Sequence, residues 1–120
     1  MMLGVVLAFG FDPSLMASRI RVLQSVGYLV VRASSISETV DHFQSGDFDL
    51  VLLCHSVPAA DRERLTSSIR AWGSGTPIVS IKGSLGECDA FVNATLEDGP
   101  NKLVAGIRDV LIKAARTPAA

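Results

Sequence analysis

The sequence predicts an α/β domain in which five parallel strands form one sheet with helices packed on both faces. Three observations carry that expectation. The run Leu50-Val51-Leu52-Leu53-Cys54 is apolar without alternation, as in a strand covered on both sides. Short apolar runs of this kind alternate with stretches of helical period along the whole chain. Successive strands are separated by these helical stretches rather than by hairpin turns, so the preference for right-handed crossovers gives a parallel sheet.

Leu3 to Phe9 is the first strand-length run, and Asp12-Pro13 supplies an N-cap followed by proline at the first helical position. Leu15, Met16, Ile20, Leu23 and Val26 then recur at helical spacing, and Gly27 provides the left-handed stop. Tyr28 to Arg32 reads as the second strand. Ser35-Ile36-Ser37-Glu38 is a capping box, which opens a helix expected to run to about Ser45. Gly46-Asp47 ends it and leads into the strand Phe48 to Cys54. Asp61 to Trp72 has helical period, Gly73-Ser74-Gly75 is a turn, and Thr76 to Ile81 makes a fourth strand. Phe91-Val92 marks a short fifth. Between Ile81 and Phe91 lie nine residues, including Gly83 and Gly86, where a crossover helix with its turns needs about a dozen. The fourth crossover is therefore expected to hold one helical turn at most. Gly99-Pro100 opens the last helix, whose Leu103, Val104, Ile107, Val110 and Leu111 form an apolar stripe. Residues 1–116 are expected to form a single domain, and 117–120 a frayed tail.

The bulk numbers exclude several classes. At 120 residues the chain can bury a core without covalent staples. Charged residues make up 19% and the net charge is −1, so nothing electrostatic favours nucleic acid or an anionic membrane. The hydrophobic fraction is 48% and the mean hydropathy +0.38, yet no apolar run approaches the about 20 residues of a membrane span. The start is too short and uncharged for a signal peptide, and a cytoplasmic location is expected. Cys54 and Cys88 are the two cysteines, both expected as free thiols.

With the elements in order, the chain resembles the response-regulator receiver domain family (CheY-like) over essentially its whole length. The resemblance rests on Asp12-Pro13 with a helix ending Val26-Gly27-Tyr28, on Phe48 to Leu53 with Pro58 and Asp61, and on Thr76-Pro77-Ile78-Val79. It implies a flavodoxin-like sheet of order 2-1-3-4-5, with ligands gathering at the carboxyl ends of the strands. It also implies a phosphoryl switch, and the positions that would carry it have changed. The acidic pair that would bind magnesium falls at Gly10 and Phe11, and the neighbouring Asp12 is needed as an N-cap. Cys54 stands where the phosphoacceptor aspartate would be, Lys82 replaces the hydroxyl residue, and the family's lysine and proline correspond to Asn93 and Ala94. Phosphoryl transfer depends on metal and charge positioning, so such a chain would be a degenerate receiver without catalytic residues, metal or cofactor. The expected role is signalling through protein contacts. The expected partner is a signalling protein, a fused output domain or a second copy of the chain.

Other readings compete at single residues. Cys54 could be a reactive thiol on the same fold, activated by Lys82 with His55 nearby, or a small hydrophobe filling an abandoned acidic pocket. A cysteine phosphatase would need arginine where the chain has Ala60. A Cys54–Cys88 disulfide would need Cα atoms about 5.5 Å apart. His55 reads as a solvated loop residue and His42 as a helix-surface residue. Lys82 could also bind a small anion, with a solvated lysine as the default. Arg62, Glu63 and Arg64 read as a polar helix face ending at Trp72, a core or rim residue. Arg19, Arg21 and Arg32 are too scattered for a nucleic-acid stripe, and Gly4 and Gly10 lack the third glycine of a dinucleotide fingerprint.

Overall fold

The structure, a computed structural model, describes residues 3–82 and 89–116. Along the chain run β1 (Gly4–Phe9), α1 (Pro13–Ser25), β2 (Tyr28–Ala33), α2 (Ile36–Ser45), β3 (Leu50–Leu53), α3 (Ala59–Ala71), β4 (Ile78–Ile81), β5 (Ala94–Leu96) and α4 (Pro100–Arg116). The strands form one sheet in the order β2-β1-β3-β4-β5, every pair parallel.

The unalternating strands are explained by a core on each side of the sheet. Val6, Ala8, Leu50, Leu52, Val79 and Ile81 pack with Met16 and Leu23 of α1 and Leu103 and Ile107 of α4. Their neighbours Leu7, Phe9, Val51, Leu53 and Ile78 turn to the other face, against Leu65 and Ile69 of α3 and the partly buried Val40 and Phe43 of α2. Strands β1, β3 and β4 thus each serve two cores at a period of two, and no position on β3 is free to be polar.

The helix ends follow from local chemistry. Asp12 Oδ1 accepts the Ser14 and Leu15 amides at 3.0 and 3.1 Å, which fixes the start of α1. Gly27, at φ 108°, makes the turn into β2 that a side chain would oppose. Ser35 Oγ accepts the Glu38 amide at 3.0 Å, while the Glu38 carboxylate takes the Ser34 hydroxyl at 3.4 Å, so only the hydroxyl half of the capping box closes. Helix α3 begins at Ala59, two residues before the expected Asp61, because the fixed φ of Pro58 lets the turn start directly behind it.

One strand differs from expectation. The fifth is Ala94–Leu96, not Phe91-Val92. Phe91 lies in a turn, and Val92 packs into the α2/α3 core from the connection. Pairing with β4 is set up by Asn93, whose amide donates to the Ile78 carbonyl and whose Oδ1 accepts the Ile78 amide, both at 2.8 Å. Two apolar residues mimicked a strand, though of the pair it is Val92 that packs against a core. The fourth crossover accordingly spans 82–93, and its glycines, Gly83 and Gly86, lie with Cys88 and the tail 117–120 outside the described residues. Four helices are present among the described residues.

Candidate functional site

The carboxyl ends of β1, β3 and β4 converge on the loops at 10–12, 54–58 and 82, where ligands collect in sheets of this order. The structure brings Gly10, Phe11, Asp12, Cys54 and Lys82 to this edge. Asn93 is at the opposite end, holding the start of β4 and accepting from Arg70 Nη2 at 2.6 Å. This corrects its expected place in the pocket. The error came from ending the fifth strand too early. The residue behind β5 at the carboxyl edge is Glu97, since the Lys82 amide donates to the Leu96 carbonyl at 2.8 Å.

The centre of the edge is filled with apolar matter. Cys54 is fully buried, and its Sγ lies 3.3 Å from Met16 Sδ. A Cβ added to Gly10 would come within 2.5 Å of Met16 Sδ and 3.0 Å of Cys54 Cβ, so a side chain there would have to displace Met16. Phe11 is turned outward, its ring edge-on to Phe9 at 5.3 Å. Ser56 Oγ accepts the Phe11 and Asp12 amides at 2.9 and 3.4 Å and ties the loop after β3 to the loop after β1. Asp12 spends its carboxylate on the α1 cap. A magnesium ion needs several convergent oxygen ligands, and among the described residues no three His, Cys, Asp or Glu side chains are placed to hold a metal. These residues do not fit the ion.

The charge beside Cys54 is Arg19, which sequence reasoning passed over. Its side chain is 7% exposed, and Nη2 lies 3.3 Å from both His55 Nδ1 and Asp98 Oδ1. Guanidinium only donates, so His55 Nδ1 is the acceptor and its ring proton sits on Nε2. Arg19 Nη1 is buried with no partner among the described residues. Burial pushes the Cys54 thiol pKa up; the charge of Arg19 and a hydrogen bond from it pull the other way without cancelling the rise, and Asp98 adds to it. Lys82 instead faces Glu97 at 4.0 Å. Glu97 also binds Lys102 at 2.5 Å, and Lys102 followed by Lys82 holds its carboxyl below the usual range. His42 pairs on the surface with Glu38 at 3.9 Å. The signal for Arg19 was present in the sequence: it falls on the buried stripe Met16-Arg19-Leu23 of α1.

A second polar cluster flanks the edge. Arg62 grips Asp89 with Nε at 2.8 Å and Nη2 at 2.9 Å, a two-pronged pair in which both side chains are nearly buried. Its Nη1 donates to the Val57 carbonyl. The Asp89 amide donates to Thr95 Oγ1 at 3.2 Å, and that hydroxyl lies 3.4 Å from Ser80 Oγ. Burial alone would raise the Asp89 pKa, but hydrogen bonds from Arg62 and Ser80 and the Arg62 charge outweigh it, and the net shift is downward. This clamp fixes the end of the fourth crossover to α3.

The geometry has counterparts among solved structures. The chemotaxis response regulator CheY4 of Vibrio cholerae superposes with a TM-score of 0.78 at 21% identity, covering 92% of this chain and 99% of that chain. A response regulator from Chloroflexus aurantiacus gives 0.80 at 22% identity over 91% and 98%. The chain has the fold of CheY-like receiver domains. The response regulator protein TrrA of Thermotoga maritima, solved in complex with magnesium and beryllofluoride, gives 0.77 at 21% identity over 92% and 99%. No family model matches the chain, and no curated protein matches its sequence. No helix among the described residues is long and apolar enough to cross a membrane.

Proposed function

We propose that this chain is a receiver-like domain that has lost phosphoryl chemistry and acts in cytoplasmic, two-component-type signalling through protein contacts, without being an enzyme. One observation carries the reading: the five-stranded sheet of the receiver fold is present among the described residues while the carboxyl edge of β1 and β3 is packed shut by Met16 and Cys54 around Gly10. A phosphoryl group needs an acceptor oxygen, a metal and converging charge. At this edge the acceptor position is a buried thiol, the metal positions are Gly10 and Phe11, and the nearest cation, Arg19, is engaged by Asp98 and His55. The rival use of Cys54 as a reactive thiol loses support on the same grounds. A reactive cysteine needs exposure and a lowered pKa, whereas this one is enclosed and shifted upward, and Lys82, its proposed activator, is ion-paired with Glu97.

Incubation of the protein with acetyl phosphate and magnesium, followed by intact-mass spectrometry, tests the reading. The expected result is an unchanged mass. A magnesium-dependent gain of one phosphoryl group would overturn it.

A further inference from the structure

Three of the exposed large apolar side chains, Leu3, Val26 and Ile112, line one groove between the end of α1, the start of β2 and helix α4. Tyr28, Val104, Arg108 and Leu111 complete its walls, and its volume is about 640 Å³. A concavity of that size, apolar except for two polar groups, has the makings of a small-molecule site.

The two polar groups decide what such a molecule would be. Tyr28 is 6% exposed, and its hydroxyl has no hydrogen-bond partner among the described residues. That oxygen is not sealed off, because Arg19 Nη1 is the one sealed and unpartnered side-chain nitrogen or oxygen among the described residues. It therefore opens onto the groove that Tyr28 lines. Arg108 makes no hydrogen bond or ion pair among the described residues, and its charge reaches the Tyr28 phenol. Burial pushes the phenol pKa up, and Arg108 pulls the other way without cancelling the rise. The hydroxyl thus keeps its proton at neutral pH and can donate. A guanidinium and a phenol proton close together in an apolar groove are donors for one carboxylate.

We propose that the α1/α4 groove binds a small carboxylic acid with an unbranched apolar tail, its carboxylate held by Arg108 and the Tyr28 hydroxyl and its tail laid along Leu3, Val26, Leu111 and Ile112. An extended peptide would bring a backbone donor and acceptor at nearly every residue, and the side chains of this groove offer partners for one polar group. An anionic membrane is drawn by clusters of cations, whereas Arg108 is the one cation in the lining. The adjoining depression along α4 is more polar and holds Asp109, which would repel the carboxylate, so it lies outside the site. The groove sits at the amino ends of β1 and β2, opposite the carboxyl edge, and the inference stands or falls independently of the phosphoryl reading.

The experiment is an amide NMR titration of the labelled full chain with sodium decanoate below its micelle-forming concentration, with circular dichroism to show that each variant is folded. Saturable shifts are expected around Tyr28, Arg108 and Ile112, with a Kd on the order of 1 mM for a ligand of this size. Arg108→Gln should weaken binding about tenfold and Tyr28→Phe about fivefold. Octanoate, shorter by two methylenes, should bind about fifteenfold more weakly. Decyltrimethylammonium, a cation with the same tail, should produce no saturable shift in the groove. The absence of saturable shifts with decanoate would overturn the proposal, as would shifts centred elsewhere. Unchanged affinity in Arg108→Gln, or equal binding of the cation, would reduce the effect to apolar partitioning and overturn it equally.

Discussion

Adding a single methyl group at position 10 probes how tightly the carboxyl edge of β1 and β3 is packed. In the Gly10→Ala variant the new Cβ stands 2.5 Å from Met16 Sδ and 3.0 Å from Cys54 Cβ, well inside contact distance. Met16 is flexible but fully buried, and the Cys54 thiol closes its other side, so it can yield only by disturbing the α1 core. Overpacking of this kind costs about 1–3 kcal/mol, and at roughly 4 °C per kcal/mol for a domain of this size the Tm should fall by about 4–12 °C. Met16→Ala alone should cost about 2–5 kcal/mol through the cavity it leaves. The two changes relieve each other, because the cavity accepts the methyl group. Urea denaturation of the two single variants and the double should therefore show the double less destabilised than the sum, by about 1–3 kcal/mol. Additivity within about 0.5 kcal/mol would refute the claim that Met16 occupies the space a side chain at position 10 would need.

Other consequences are as direct. Arg62→Met leaves the Asp89 carboxylate nearly buried without its partner, and urea titration should show a loss of about 3–5 kcal/mol. The folded-state pKa of Asp89 lies below its unfolded value of about 3.9. The pair's contribution is therefore complete above that value and is lost as pH falls through the lower folded value. Asp89→Asn should be less stable at neutral pH and show a shallower loss below about pH 4; an acid limb identical to wild type would contradict the assignment. Cys54 should resist alkylation at pH 8 in the native protein and react fully in urea, read by peptide mass mapping. Rapid native labelling of Cys54 would revive the thiol-sensor reading.

Much of the fold was legible because local signals and tertiary packing agree. Asp12-Pro13, Ser35 and Gly27 set the helix ends where their chemistry demands, and β3 reads as a two-sided strand because both its neighbours' cores claim it. The fifth strand was misplaced because Phe91-Val92 has strand composition but lies in a connection from which Val92 packs against a core, whereas Ala94-Thr95-Leu96 owes its pairing to the Asn93 side chain and to contact with the last helix, where Leu96 lies against Gly106. Tertiary context overrode local propensity there. The site was half legible. Gly10, Phe11, Asp12, Cys54 and Lys82 do share one edge, but Asn93 followed the misplaced strand to the wrong end. Arg19 and Arg62 were missed for one reason: a long cation reads as surface until its burial beside a named partner is known. The spacing of Arg19 with Met16 and Leu23 was the available clue.

The central claim is that the receiver fold persists here without a working phosphoryl pocket. Its most direct test is an amide NMR spectrum of the labelled protein with and without magnesium and beryllofluoride, which mimics a bound phosphoryl group. The account predicts that no resonance moves, because Gly10 and Phe11 carry no ligating side chain and Met16 packs against Cys54. Shifts centred on Gly10, Cys54 and Lys82 that saturate with the additive would contradict it.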